Sequence, residues 1–331
     1  MVSLSDIHAS NVQIPKTLPA GLVAVFVGGT NGIGEITMKH FAKLAVKPKI
    51  YFVGRAQEAG TRIENELKEI NPDGTYAFIK SDTSLVKNVD SVCQEIKNKE
   101  KSVNLLFITT GTLSSGQDTS EGLHLPTSLV LYSRTRFIVN LLPLLKAATS
   151  LRRVISVYAG TKEGAIIDTD FQCRNVSLTK IRGHTSSLIT LSLEQIAKTA
   201  PDVSFIHVFP GSVRSGITRG SGLLLMIARA VFTVIGRFVY MSEEDCGERQ
   251  VFFSTSARYP AKNEADTGIE LAEGTNGEMG SGVYSVDENG EPASNAVVKM
   301  LAKLRENGTD LKLWNHINEE FVRITGTTVM Q

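Results

Sequence analysis

The chain has 331 residues, 42% of them hydrophobic and 21% charged, with 35 Lys and Arg against 34 Asp and Glu. This composition excludes a disordered, collagen-like or disulfide-scaffolded protein, and the balanced charge gives no reason to expect nucleic acid as a partner. The length is about twice the ~150-residue prior for one domain, so two domains are permitted but not required.

Residues 1–21 show neither a basic start followed by an apolar stretch nor an Arg-rich amphipathic pattern. They read as an N-terminal lead with no signal or transit peptide, and the expected location is cytoplasmic. Cys93, Cys173 and Cys246 are odd in number, far apart and off metal-ligand spacing with the six histidines. A reducing compartment and no metal site follow.

In chain order, the Val-rich run 22–27 reads as a buried strand closed by Gly28 and Gly29, and 32–44 repeats apolar residues at helical spacing. The β-branched and aromatic run 49–53 completes a βαβ unit. A polar helix at 59–70, a strand at 76–79, a helix at 86–99 and a strand at 103–108 follow. A long apolar helix at 127–148, a strand at 153–157, a helix at 183–198 and a strand at 203–209 extend the alternation, and a last strand is expected at 283–286. Strands separated by helices imply parallel pairing with right-handed crossovers, hence an α/β doubly wound sheet of the Rossmann type with helices on both faces.

Two additions decorate this single domain, which spans 22–286. Asp202 and Glu243 bracket a stretch with no acidic residue and four arginines, within which 223–240 is strongly apolar. It falls short of the ~20 nearly uncharged residues of a membrane span. The segment 212–242 reads as a lid over a hydrophobic substrate, with core or oligomer contact and weak membrane-surface association as alternatives. Residues 287–331 form a C-terminal helical extension.

The first strand-to-helix turn reads Val27-Gly28-Gly29-Thr30-Asn31-Gly32-Ile33-Gly34. Glycines there allow a tight turn, backbone approach to a pyrophosphate and close helix-strand packing, with free N–H groups facing the anion. The second strand ends Val53-Gly54-Arg55, where an acidic residue would take the ribose 2′-hydroxyl of NAD. Arg55 suits a 2′-phosphate instead, through paired charge-assisted bonds, so NADP(H) is the expected cofactor, with neutral donors from Thr30 and Asn31.

From residue 22 to about 286 the chain resembles the short-chain dehydrogenase/reductase family. Val27 to Gly34 matches that family's Thr-Gly-x-x-x-Gly-x-Gly motif, with Val27 replacing the Thr. The resemblance places Asp82, followed by Thr83, at the adenine. It also places Thr110 and Gly111 after the fourth strand, Pro210, Gly211 and Val213 after the sixth, and Ser215 at the nicotinamide carboxamide. It implies a homodimer through the helices at 127–148 and 183–198. The stretch from Gly282 onward is similar to reductase-like proteins common in fungi and often tied to secondary metabolism.

The family's catalytic set departs from the pattern. Its Tyr-x-x-x-Lys motif would fall near 179–185, but no Tyr occurs between Tyr158 and Tyr240. Val157 stands where the catalytic Ser is usual, with Ser156 one residue earlier, on the opposite side of an alternating strand. No Asn occupies 130–132. Replacement donors are His184, which can titrate near neutrality, and Tyr158 and Tyr132. Asp168 and Asp170 lie in the loop after the fifth strand. Three functions follow: an NADPH-dependent reductase of a hydrophobic carbonyl compound such as a secondary-metabolite intermediate; a redox-neutral isomerase or cyclase that keeps the cofactor pocket; or a non-catalytic NADP(H) sensor.

Overall fold

A computed structural model describes residues 2–213, 240–264 and 268–330. Seven strands form one sheet: β1 (Val23–Val27), β2 (Lys49–Gly54), β3 (Thr75–Lys80), β4 (Leu105–Ile108), β5 (Arg153–Val157), β6 (Ser204–Val208) and β7 (Val283–Val286). Their order is β3-β2-β1-β4-β5-β6-β7 and every neighbouring pair is parallel. The order reverses between β1 and β4, which opens a crevice at their carboxyl ends.

Strand alternation divides the core. Ala24 and Phe26 face one side, with Phe41 of α3 (Gly32–Leu44), Leu67 of α4 (Gln57–Ile70) and Val251 of the helix Glu243–Thr255. Val23, Val25 and Val27 face the other, with Val92 of α5 (Val86–Lys99), Leu141 of the helix Ser133–Ala147 and Ile189 of the helix Leu178–Ala197. All five β1 residues are buried, as a central parallel strand covered on both faces requires.

The lead is structured. Its helices α1 (Leu4–Asn11) and α2 (Ile14–Thr17) place Ile7 and Ile14 in the first core cluster. Ser3 caps α1 by accepting from the Asp6 N–H.

The single helix expected at 127–148 is three pieces: a short turn α6 (Leu125–Thr127), a π-helical turn over Ser128–Tyr132, and α7 (Ser133–Ala147). Side chains pin the wide turn at both sides. Ser128 Oγ donates to the Ser84 carbonyl at 2.6 Å and Thr110 Oγ1 to the Leu129 carbonyl at 3.1 Å. Helix α8 (Leu178–Ala197) starts five residues before the expected Gly183. That glycine is needed for a close crossing instead, since its Cβ would lie 3.1 Å from the Gly164 Cα. The segment 212–242 is described only at Ser212, Val213 and its last three residues, so the expected lid lies outside the described residues, and α9 (Glu243–Thr255) follows it.

After β7, α10 (Asn295–Glu306) and α11 (Thr309–Thr325) fold back over α5 and α8. Leu301, Leu313, Ile317 and Phe321 join Leu131, Tyr132, Leu188 and Leu191 in a third cluster. The tail then crosses α7. Arg136, fully buried, binds Asp90 through two nitrogens at 2.6 and 2.7 Å and holds the carbonyls of Thr327 and Thr328. The helix surfaces expected to build a homodimer are therefore covered by the chain's own C-terminal extension.

Candidate active site

The Gly-rich turn leaves β1 at the crevice. Gly28 has φ +89° and Gly32 φ +55°. A Cβ at Gly28 would lie 2.6 Å from Thr109 Oγ1, and one at Gly34 2.4 Å from the Gly28 carbonyl oxygen. These contacts bring the start of α3 against the ends of β1 and β4. Asn31 is the α3 N-cap, extended and without a side-chain hydrogen bond to the helix, so no side chain of the cap competes for the first-turn N–H groups of Gly32, Ile33 and Gly34. Such a terminus fits a pyrophosphate.

Thr30 packs over Gly54, where a Cβ would lie 2.4 Å from its methyl carbon, which places it beside Arg55. Arg55, Lys80 and Asp82 line one groove of about 530 Å³ against Asn88 and Ser91 of α5. Lys80, a second cation on this groove, was not singled out from sequence. Asp82 Oδ1 accepts from the Ser84 N–H, and Thr83 is buried beside it. Thr110 and Gly111 follow β4, and Pro210, Gly211 and Val213 follow β6, with Gly211 at φ +73°. Ser215 lies outside the described residues.

The expected catalytic candidates separate. Tyr132 is fully buried, and its hydroxyl pairs with His316 Nε2 of α11 at 2.6 Å. Burial holds its phenol well above the usual tyrosine range. It ties the C-terminal extension to the domain, packed in the third cluster with α11. His184 is 1% exposed; its Nδ1 accepts the Ile167 N–H at 3.1 Å, and burial lowers its pKa. The imidazole thus braces the loop after β5 instead of opening into the cleft. Ser156 is also buried, facing α7, where its hydroxyl accepts from Arg134 Nη1 at 2.8 Å. Asp168 pairs with Lys312, and Asp170 accepts backbone N–H groups from Arg174 and Asn175. Asp168 thus ties the loop to α11, and Asp170 folds the loop on itself.

Tyr158 remains. It leaves the end of β5 only partly buried, its ring stacked near His207 at 6.4 Å between centroids, and the Arg134 guanidinium lies 6.0 Å from its own ring centre. Burial raises the Tyr158 pKa above the ordinary phenol value, against the opposing pull of Thr185, Arg134 and Arg182.

Two neighbours were not foreseen. Arg134 is buried, and among the described residues it is held by carbonyl and hydroxyl oxygens, not by a carboxylate. Nη1 donates to Ser156 Oγ and to the Val157 carbonyl at 2.9 Å, and Nη2 to the Thr110 carbonyl at 2.5 Å. Burial lowers its pKa to about 10, which still leaves it charged at neutrality. Two arginines two apart in an otherwise apolar helix were the available signal. Beneath Tyr158, Glu163 Oε1 accepts from Thr190 at 2.7 Å and Ser285 at 2.6 Å, and lies 3.4 Å from His207 Nδ1. Burial pushes the Glu163 carboxyl up, but its hydrogen bonds outweigh that and keep it below the usual range. His207 Nε2 accepts the Ala159 N–H, which fixes the loop that carries Tyr158.

No protein-family model matches the chain. It is 40% identical over 333 residues to oxidoreductase AN1596 of Emericella nidulans, covering 96% of this chain and 97% of that one. It is 31% identical to the short-chain dehydrogenase/reductase SAT2 of Stachybotrys chartarum, over 96% of each. Among solved structures it is similar to Pseudomonas aeruginosa RhlG in an NADP complex, with a TM-score of 0.52 at 18% identity over 74% of this chain and 93% of that one. Another is L-sorbose reductase of Gluconobacter frateurii, with a TM-score of 0.53 at 17% identity over 72% and 90%. The chain belongs to the short-chain dehydrogenase/reductase superfamily.

Proposed function

We propose that the protein is an NADP(H)-dependent reductase of a hydrophobic carbonyl compound, such as a secondary-metabolite intermediate, with Tyr158 as the proton donor. The observation that carries this reading is the half-buried Tyr158 at the end of β5, with the Arg134 guanidinium 6.0 Å from its ring centre. The relatives named oxidoreductases support the reaction class. The groove that holds Arg55 and Lys80 supports a 2′-phosphate.

The nicotinamide group, when bound, supplies the hydride. The chain supplies the rest. First-turn N–H groups of α3 hold the pyrophosphate, and Arg55 selects the 2′-phosphate. The Tyr158 O–H donates its proton to the carbonyl oxygen. Its raised pKa keeps the phenol protonated at neutral pH, as a donor requires, and the positive charge of Arg134 and Arg182 stabilises the phenolate left behind. Arg134 also adds fixed positive charge where the carbonyl oxygen gains negative charge.

NADPH consumption measured against a panel of apolar ketones tests the reading. Tyr158→Phe is expected to lower kcat by about 10²-fold or more while NADPH binding, followed by fluorescence, stays unchanged. Product formed without NADPH consumption would replace this reading with the redox-neutral isomerase or cyclase.

A further inference from the structure

We propose that His40, Glu244 and Glu248 form a binding site for a divalent transition-metal cation of the zinc class, on the opposite sheet face from Tyr158 and Arg134. The site joins α3 to α9. Glu244 and Glu248 stand four residues apart on α9 and so share one helix face. His40 reaches them from α3. One ligand atom from each of the three lies within 4.8 Å of the others.

Three features mark a built arrangement. The first is the seat of the imidazole. Gly247 lies between the two glutamates, and a Cβ there would sit 2.2 to 2.5 Å from three atoms of the His40 ring. A glycine inside a helix costs about 1 kcal/mol relative to alanine, and here it admits the ring flat against α9.

The second is the hold on Glu248. Asn11 of α1 is fully buried, and its Nδ2 donates to Glu248 Oε2 at 2.6 Å and to the Glu248 carbonyl at 2.8 Å. An outer amide that orients a ligating carboxylate is a recurrent part of metal sites. Glu248 is in the second turn of α9, so the helix dipole, which favours Glu243, Glu244 and Asp245, does not account for it.

The third is spacing. His40 Nε2 lies 3.5 Å from Glu244 Oε2, and His8 Nδ1 lies 3.5 Å from Glu248 Oε1. Both separations exceed a good N–H···O hydrogen bond. They are close to the ligand–ligand edge of about 3.3 Å set by tetrahedral bonds of about 2.0 Å to zinc. Imidazole with carboxylate oxygens is a zinc-class donor set. Sequence spacing hides this set, because His40 and the two glutamates lie about 200 residues apart on two separate helices.

A bound ion fastens α9 to α3, the helix that follows the Gly-rich turn, and α1 holds Glu248 through Asn11. The test uses the untagged full-length protein, stripped with a chelator and titrated with zinc chloride. One zinc per chain by calorimetry and a rise of several degrees in the unfolding midpoint are expected, with no rise from magnesium at the same concentration. His40→Ala and Glu244→Gln should each weaken zinc binding at least tenfold. Glu244 is largely exposed, so its variant keeps the fold and isolates the ligand role. Absence of stoichiometric zinc uptake, or uptake unchanged in both variants, overturns the proposal.

Discussion

A guanidinium buried without a carboxylate survives only where neutral acceptors replace water, and Arg134 has three of them: Ser156 Oγ and the carbonyls of Val157 and Thr110. Those partners lie on β5 and on the loop after β4, so the side chain bridges the carboxyl ends of those two neighbouring strands. The sequence could show that Tyr158 follows β5, but not that a cation from α7 would reach it. It also could not show that His184 and Tyr132 would be consumed by Ile167 and His316. Those pairings join residues 17 and 184 positions apart. Arg55 is different, because its position after β2 is a local property of a βα unit. Arg55→Ala is expected to raise KM for NADPH by about 10- to 100-fold and to leave KM for NADH nearly unchanged. Steady-state kinetics with both cofactors decides it, and equal effects on the two would assign Arg55 to the solvated surface.

Helices and strands were legible where their apolar periodicity was strong, and β1, α3, β2 and α5 fall close to their expected positions. The π-turn was not, because the wide turn is imposed by the Ser128 and Thr110 side chains binding distant carbonyls. Helix α1 was missed because one buried residue per turn in a polar octapeptide resembles a loop until α9 is placed beside it. The C-terminal helices show the same limit at larger scale. Their amphipathic faces were readable, yet their docking partner was not. Because α10, α11 and the tail cover α7 and α8, the full-length protein is expected to run as a monomer in light scattering after size exclusion. A stable dimer with crosslinks between α7 or α8 of two copies would show that the extension moves aside.

At the scale of the whole molecule, buried histidines couple folding to pH. Burial lowers the pKa of His184, His207 and His316 below the ordinary 6.5. A depressed folded pKa means that the unfolded chain takes up protons first. The stability these neutral imidazoles support is therefore complete above about pH 6.5 and is lost as pH falls through their folded values. Glu163, held below 4.5, adds a further loss at lower pH. The unfolding midpoint should be flat from pH 7 to 8 and fall from about pH 6.5 downward. A midpoint unchanged between pH 7 and 5 would contradict the assignment of neutral buried rings.

The amino-acid sequence by itself determined the doubly wound sheet, the Gly-rich turn and the absence of a Tyr-x-x-x-Lys motif, because each depends on residues within one or two neighbouring elements. The tertiary structure decided which polar groups meet: Tyr158 with Arg134, Tyr132 with His316, and His40 with Glu244 and Glu248. Side-chain chemistry acts over a few ångströms, and only the packing of helices on the sheet brings residues so far apart in the chain within that range.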